Sequence, residues 1–428
     1  MRLRQLTGQA FLDAIKETPN DGLILSRYIL HTTSLVATSM EALADILVHR
    51  SSDLEKPPFA KTLMKKYIGN SLITTEDEEH RHLRKMTTPA FHFRNIKNLY
   101  PVSWAKSTEF CRTLNKTLGE RPDRVLDIWH YSTQVTMDVI GLAGLGHDMD
   151  SSQHRDDRLI NVYKEIFEPT KDKLLFFICQ ISLSPCVVDK LSRGLNKNDF
   201  VAEKKAKLKL ESAGSQGSLD VVPCMIRSNE FPDENLVDHL MKLAAANSHS
   251  HETTSSTLTW SFCFLSRHPD IQSHLRSEIL ECIQDPKVLL NSAFDVAGLS
   301  KAYTTSTAST RVAIRDTEVA GHHILVGTMI YLVPWAINHH STMWGPDAKE
   351  FLPERRIDKE TGCPTMRGGA GNNYSFPTFS HGPRCCIGER SARAGLWALV
   401  AALVGSFAME LVDPLEKKSS QAERLRVS

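Results

Sequence analysis

"FPTFSHGPRCCIGERSARAGLWALVAALVGSF", residues 376–407, sets two adjacent cysteines in a turn of Gly, Pro and Arg, directly ahead of a long uncharged run. We predict that a helix begins near Glu389, which places Cys386 at the amino-terminal mouth of that helix. The positive end of the helix dipole and the nearby backbone N–H groups favour the thiolate form of a cysteine at such a place. A thiolate there can bind a soft metal ion.

The residues around the cysteines suit a flat cofactor, in the pattern Phe379-x-x-Gly382-x-Arg384-x-Cys386-x-Gly388. The two glycines permit tight backbone turns and the close approach of a planar group. Arg384 can neutralise a carboxylate on that group, and Phe379 can shield the sulfur from water. The pattern therefore fits an iron porphyrin held by one axial sulfur, against the alternative of a generic turn that happens to contain cysteine.

Composition excludes little and favours an intracellular protein. The 51 basic residues nearly balance the 50 acidic ones, so the charge indicates no nucleic-acid partner. The nine cysteines are odd in number and include no C-x-x-C pair, which favours a reducing compartment and gives no support to a structural zinc site. The amino end, MRLRQLTGQAFLDAIKETPNDG, has no apolar core behind its basic residues, so we expect neither a signal peptide nor a membrane anchor there.

Apolar periodicity predicts a mainly α chain with a small sheet. Helical spacing is seen in residues 108–118, 127–145, 236–265 and 270–283, whereas strand-like alternation is confined to short pieces such as 312–319 and 329–333. Two uncharged runs, 174–188 and 394–409, are shorter than the roughly 18–20 residues that a membrane-spanning helix needs. We expect the second run to form a buried helix, and the first to be a helix end or an apolar surface patch.

The cysteine motif resembles the haem-binding loop of the cytochrome P450 superfamily, the haem-thiolate monooxygenases. The resemblance makes Cys386 the axial iron ligand and Cys385 its neighbour, and it implies haem b (iron protoporphyrin IX) as the cofactor. It also implies a single catalytic domain over residues 1–428 with a mainly α, cytochrome P450-like fold and a small β-sheet region. In that fold the haem lies between a long distal helix and the cysteine loop.

Two more segments resemble family helices that serve the haem. Residues 74–91, TTEDEEHRHLRKMTTPAF, resemble the helix whose arginine reaches a haem propionate, which implies that role for Arg84, on the same face as His80. The alternative for Arg84 is a solvated helix charge. Glu252 and Thr253 match the acid and alcohol of the distal helix that conduct protons to the reaction centre. The alternative is an exposed acid, with hydroxyls that bond back to the helix backbone.

The chain departs from the family pattern just before this acid and alcohol. In residues 247–251, NSHSH, the chain has about three residues more than the family pattern by our register. Three extra residues rotate the two flanking parts of a helix relative to each other by roughly 300°, unless a bulge absorbs them. His249 and His251 would point roughly 200° apart on a helix, so a metal site there is disfavoured.

A second departure concerns the support of the haem loop. Arg311 matches a family position that contacts a propionate, and Arg355 matches the arginine that joins a Glu-x-x-Arg pair from the preceding helix K. Residues 296–315 contain no Asp or Glu, so the Glu-x-x-Arg pair is missing. We therefore expect segment 296–311 to be shortened relative to the family. An unpaired buried arginine is costly. We therefore expect Arg355 to be either exposed to solvent or paired with another acid.

The resemblance implies a monooxygenase that inserts one oxygen atom from dioxygen into a small apolar substrate. Glu252 and Thr253 would deliver protons, while Arg84, Arg311 and Arg384 would bind the propionates. Electrons would come from NADPH through a separate NADPH-cytochrome P450 reductase, because the chain has no dinucleotide fingerprint. The pattern is closest to microsomal and fungal members, which by analogy implies secondary-metabolite biosynthesis.

Two alternatives to this function follow from the departures. One is a haem-thiolate isomerase or dehydratase that needs no dioxygen, and the other is a degenerate haem-binding or apo scaffold without catalysis. The departures themselves fit either a divergent family member or a reading frame with a wrong start and misplaced splice joints.

The expected setting is a monomer in the cytoplasm or on the cytosolic face of the endoplasmic reticulum. The stretch from Pro19 resembles the start of the catalytic domain in anchored members. An apolar patch at residues 174–181 suits peripheral contact with a membrane surface.

Overall fold

The computed structural model describes residues 8–27, 33–68, 70–142, 151, 253–282, 309–358, 360–361, 372–375, 377–412 and 424–428. The chain divides into two compact units. The first unit comprises Met1–Pro57, Leu99–Thr136 and Glu252–Ser428, and the second comprises Pro58–Asn98 and Met137–His251.

In chain order, the described helices are α1 (Gly8–Glu17), α2 (Met40–Ala44), α3 (Pro58–Ile68), α4 (Asp77–Thr87), α5 (Phe93–Gly119), α6 (Ile128–Ile140), α7 (253–267), α8 (Pro269–Cys282), α9 (Pro334–Asn338), α10 (Ser341–Trp344) and α11 (Glu389–Ser406). The described strands are β1 (Leu23–Arg27), β2 (Thr33–Ala37), β3 (Leu54–Glu55), β4 (Val125–Asp127), β5 (Ser309–Ala313), β6 (Thr317–Val319), β7 (His322–Ile324), β8 (Met329–Leu332), β9 (Met409–Leu411) and β10 (Arg424–Val427).

The sheets of the first unit join distant parts of the chain. The largest has the strand order β1-β2-β8-β5-β3, with β1 and β2 antiparallel and β2 parallel to β8. Because parallel strands need a long crossover, this pairing ties the start of the chain to its carboxyl-terminal third. β4, β10 and β9 form a second sheet, and β6 and β7 form a hairpin.

The main core cluster of the first unit packs this sheet against α2 and the π-helical turn that follows it, Asp45–His49. Ser39 caps α2, because its hydroxyl accepts the N–H of Ala42 at 3.0 Å. Fully or nearly fully buried side chains on the two sides include Leu43, Ile46, Leu47, Ile330 and Leu332. The core therefore holds the turn rigidly on the side that faces the sheet.

α11 is the buried helix predicted for the second uncharged run. Its buried residues run from Ala394 to Val404, and it ends at Ser406, after which Phe407 is extended. Gln272, on α8, bonds both backbone groups of Met409, with its amide nitrogen donating to the carbonyl at 3.0 Å and its oxygen accepting the N–H at 2.8 Å. The prediction for residues 394–409 is thus confirmed as far as Ser406, and β9 follows.

The second unit contains α3 and α4, a short 3-10 turn at Thr88–Phe91 and the first residues of α5. α4 has acidic residues in its first turn, beginning with Asp77, and Arg84 and Lys85 in its last turn. This distribution complements the helix dipole. It explains why the polar stretch of residues 77–87 forms a stable helix.

The predicted periodicities agree with the described elements, with shifts at their ends. Residues 108–118 lie inside α5, residues 270–283 correspond to α8, and α6 begins one residue later than predicted because Asp127 ends β4. Only the part of 236–265 from 253 onward is described, and it is helical. The strand-like stretch 312–319 is two strands, β5 and β6, separated by a turn.

Candidate haem-binding site

Two short 3-10 turns, Pro377–Phe379 and Gly382–Arg384, shape the cysteine loop before α11 begins at Glu389. The backbone N–H of Cys386 donates to the carbonyl of Phe379 at 2.8 Å, which closes the loop. Cys386 is exposed and Cys385 is half-buried. The predicted helix start is therefore confirmed, and Cys386 lies directly before the first turn of the helix.

Gly382 is fixed by a steric requirement that the motif alone does not reveal. Its φ is +69°, and a Cβ built on it would lie 2.1 Å from the backbone oxygen of Leu47, in the π-helical turn. No real Cβ tolerates that distance, and the oxygen belongs to a residue that is buried in the core. Gly382 is thus required for the cysteine loop to pack on the turn.

Gly388 leaves space beside the sulfur of Cys386. A Cβ at this position would lie 3.9 Å from Sγ of Cys386, an ordinary contact that would cover one side of the sulfur. With an exposed thiol, a neighbouring glycine and the cationic side chain of Arg384, the donor set fits a planar iron cofactor that carries carboxylates. The residues present therefore fit haem.

Arg393 is part of this site, and sequence reasoning missed it. Its guanidinium lies over the ring of Phe379, 5.5 Å from the centroid, and it pairs with Glu389 at 2.9 Å. The spacing of Glu389 and Arg393, four residues apart at the start of a helix, was the available signal. The pair links the first turns of α11 to the aromatic residue of the motif.

The predicted propionate ligands occupy three different elements. Arg384 is half-buried in the second 3-10 turn. Arg311 lies on β5 with 8% of its surface exposed, and its Nη1 donates to Ser309 Oγ and to the Thr310 carbonyl, each at 3.1 Å. Arg84 lies in the second unit, half-buried near the end of α4, while His80 is buried. The first two arginines share the unit of the cysteine loop.

Of the predicted proton-delivering pair, Thr253 is described and Glu252 lies outside the described residues, as do His249 and His251. Thr253 is exposed on α7, and its carbonyl accepts a hydrogen bond from the hydroxyl of Thr257 at 2.8 Å. Ser261 in turn donates to the carbonyl of Thr257 at 2.7 Å. The hydroxyls of Thr257 and Ser261 thus bond back to the helix backbone, as the alternative interpretation expects for helical hydroxyls.

Of the two expectations for Arg355, exposure to solvent or pairing with another acid, the structure shows the second. Arg355 Nη1 lies 2.9 Å from Asp347 Oδ1, and the arginine side chain is 14% exposed. The same nitrogen donates to the Trp344 carbonyl at 2.9 Å, and Nη2 donates to the Asp347 carbonyl at 3.0 Å. Arg355 is therefore neither solvent-exposed nor unpaired.

Two cysteines of the described residues lie in the core, away from the cysteine loop. Cys111 and Cys263 are buried. Burial raises the pKa of the Cys111 thiol to about 11, with a smaller opposing effect from a hydrogen bond to Ser406. The Cys111 thiol therefore stays protonated and unreactive at neutral pH.

None of the helices in the described part of the chain is both long and apolar enough to cross a lipid bilayer. The apolar run at residues 174–188 lies outside that part.

Comparison with known proteins agrees with the geometry of the cysteine loop. The family profile described as Cytochrome P450 matches residues 5–295 and 301–427, and the interruption at 296–300 falls in the segment predicted to be shortened. The chain is 33% identical to cytochrome P450 monooxygenase sphH of Aspergillus fumigatus over 93% of its length and 78% of the relative's. It is 31% identical to cytochrome P450 monooxygenase ptmK of Penicillium ochrochloron, over 96% of this chain and 84% of the relative.

A third fungal protein, cytochrome P450 monooxygenase FUM15 of Gibberella moniliformis, is 30% identical over 94% of this chain and 78% of its own length. The matches extend well beyond the cysteine motif, into the parts of the sequence that precede it. They confirm the predicted mainly α fold class and the predicted oxidoreductase class, and they favour a monooxygenase over the alternatives. The chain belongs to the cytochrome P450 family.

Proposed function

We propose that this cytochrome P450 is a haem-thiolate monooxygenase in which Cys386 is the axial ligand of haem b. The observation that carries the proposal is the loop from Phe379 to Gly388. A hydrogen bond from the Cys386 N–H to the Phe379 carbonyl closes this loop, which lies directly before α11. When bound, the haem supplies the activation of dioxygen. The overall reaction places one oxygen atom in a small apolar substrate and the other in water.

The thiolate is stabilised by its position. Cys386 precedes a helix of 18 residues, and the N–H groups of the first helical turn have no partners within the helix. Cys385 lies one residue earlier and is half-buried, which supports its assignment as the neighbour of the ligand. Phe379, under the guanidinium of Arg393, limits the access of water to this side of the loop.

Cationic side chains would orient the haem through its propionates. Arg384 stands in the loop itself, and Arg311 is a buried cation on the strand β5, where its hydrogen bonds to Ser309 and Thr310 fix the side chain. We assign Arg84 to the same task on the basis of the family pattern. The burial of this cation, in the unit that contains the cysteine loop, supports the assignment of Arg311.

Glu252 and Thr253 would hold and move the protons that the reaction consumes. The role of Thr253 is supported by its exposure on α7, where the residues that follow it, Thr254 and Ser255, are buried. An exposed residue can meet water and substrate, which a core residue cannot do.

The remaining parts of the proposal rest on the family and on the fungal relatives. Electrons would come from NADPH through NADPH-cytochrome P450 reductase, and the enzyme would act as a monomeric single domain, in the cytoplasm or on the cytosolic face of the endoplasmic reticulum with peripheral membrane contact. Because the similar proteins come from fungi and are named as monooxygenases, we propose a role in secondary-metabolite biosynthesis.

The ligand assignment is tested with a matched pair of variants, Cys386→Ser and Cys385→Ser. We expect the first to lose the electron paramagnetic resonance signature of thiolate-ligated ferric iron and the second to keep it. Equal spectra from the two variants would contradict the assignment.

The reaction class is tested by adding NADPH, reductase and a panel of apolar compounds in ¹⁸O-labelled dioxygen. Incorporation of one labelled oxygen atom supports the monooxygenase. Conversion that proceeds without NADPH and without label would instead favour the isomerase or dehydratase, and failure to take up added haem by a folded chain would favour the scaffold.

A further inference from the structure

The missing Glu-x-x-Arg pair raises the question of what holds Arg355 and the residues around it. Its guanidinium donates to two carbonyls and one carboxylate, all of which belong to residues 344–347. Asp347 is 45% exposed, whereas Arg355 is 14% exposed, so the acid stands at the rim and the cation lies inside. We call these three hydrogen bonds of Arg355 the clamp. The clamp is local, and it needs no acid from residues 296–315.

Because Arg355 is largely buried, this ion pair affects stability more than an exposed surface pair does. A largely buried guanidinium that loses its carboxylate is left with an uncompensated charge, which costs far more than an exposed pair contributes. The bonds to the Trp344 and Asp347 carbonyls also fix the backbone, because a planar guanidinium holds its partners in one fixed arrangement. The pair consequently restrains the backbone at residues 344 and 347.

Trp344 connects the clamp to the approach of the cysteine loop. Its indole Nε1 donates to the Ser375 carbonyl at 3.1 Å, across 31 residues of sequence. Trp344 is 5% exposed and Ser375 is fully buried, so this bond is shielded from water. A change in the backbone at 344 moves the indole and thus the residues around 375.

A second bond fixes the next part of the same approach. The amide of Asn338, at the end of α9, donates to Thr378 Oγ1 at 3.2 Å. The following residue, Phe379, accepts the N–H of Cys386 through its carbonyl at 2.8 Å. Residues 375 and 378 are therefore both anchored, directly before the carbonyl that closes the cysteine loop.

We propose that Asp347 is a positioning residue for Cys386 and takes the place of the missing helix K acid. Asp347 neutralises Arg355, Arg355 fixes the backbone of Trp344, and Trp344 anchors the segment that leads into the cysteine loop. The inference rests on the proposed ligation of iron by Cys386, but the loop geometry that Asp347 maintains can be measured independently of the iron.

The test uses the full-length chain with Asp347→Asn, which removes the charge and keeps the shape. The matched control is Glu350→Gln, because Glu350 is an exposed acid in the same loop, and its N–H donates to the Asp347 carbonyl. Two quantities are measured: hydrogen exchange of the backbone amides in residues 377–388, and the share of the reduced carbon monoxide complex that shows the strongly red-shifted thiolate band.

We expect exchange at 377–388 to speed up on the order of ten-fold in Asp347→Asn, the scale expected when a charge-assisted hydrogen bond is lost. The thiolate share should fall in the same variant, and both quantities should stay at the wild-type level in Glu350→Gln. Unchanged exchange and an unchanged thiolate share in Asp347→Asn would overturn the proposal.

Trp344→Phe covers the case in which Asp347→Asn fails to fold, because it keeps the ion pair and replaces the indole with a smaller aromatic ring that has no N–H donor. Faster exchange at 377–388 in this variant supports the connection through Trp344, and wild-type exchange contradicts it. A wild-type chain without the red-shifted band would contradict the ligation by Cys386, whereas unaltered exchange in the variants would contradict the positioning role. The two failures are thus distinguishable.

Discussion

Replacing Gly382 with alanine should destabilise the protein strongly, for two separable reasons. At φ +69° an alanine residue has the unfavourable left-handed conformation, which costs about 1–2 kcal/mol. Its Cβ would also lie 2.1 Å from the Leu47 backbone oxygen, and relief of such overpacking costs about 1–3 kcal/mol. Gly382→Ala should therefore lower the free energy of unfolding by about 2–5 kcal/mol.

Gly321→Ala is the matched control for the backbone part of this cost. Gly321 has φ +77°, and a Cβ there would meet nothing within 4 Å. This variant should lose about 1–2 kcal/mol, the conformational cost alone. The difference between the two variants then measures the contact of the cysteine loop with the π-helical turn.

Urea unfolding followed by circular dichroism gives both free energies, provided that the slopes of the transitions agree. Haem retention should fall in Gly382→Ala and stay at the wild-type level in Gly321→Ala. Equal losses of stability in the two variants would refute the reasoning, because they would mean that the loop does not pack against Leu47 as described.

Thr253→Ala should uncouple NADPH oxidation from product formation, whereas Thr257→Ala, whose hydroxyl bonds to the Thr253 carbonyl, should not; unchanged coupling in Thr253→Ala would place proton delivery elsewhere. Burial raises the pKa of Cys111 from 9.0 to about 11, so its contribution to stability is complete below pH 9.0 and is lost as the pH rises through about 11. Urea midpoints over that pH range should fall less steeply in Cys111→Val than in wild type, and parallel curves would contradict this. Gln272→Met should lower the free energy of unfolding by about 2–4 kcal/mol, because it leaves the backbone groups of Met409 buried without their partners; a loss below about 1 kcal/mol by the same assay would show that these bonds are replaced.

The features that could be predicted from the sequence are those that depend on neighbouring residues. The start of α11 at Glu389 follows from a glycine-rich turn ahead of an uncharged run, and the position of Cys386 follows from that start. The buried helix up to Ser406 follows from the absence of charge in the run. In each case the determining residues lie within a few helical turns of the feature.

The features that could not be predicted depend on contacts between distant residues. The need for glycine at 382 comes from Leu47, which lies far away in sequence, and no local pattern encodes it. The acid that pairs with Arg355 is Asp347, which lies between residues 296–315 and the arginine and reaches it only because the loop folds back. The parallel pairing of β2 with β8 is likewise set by tertiary packing.

The absorption spectrum of the purified, reduced protein exposed to carbon monoxide tests the central claim most directly. A thiolate bound to haem iron shifts the Soret band strongly to the red, so the account predicts such a band for the wild-type chain and its loss in Cys386→Ser. An unshifted band in the wild-type protein, or a shifted band that survives in Cys386→Ser, would contradict the claim that Cys386 holds the iron.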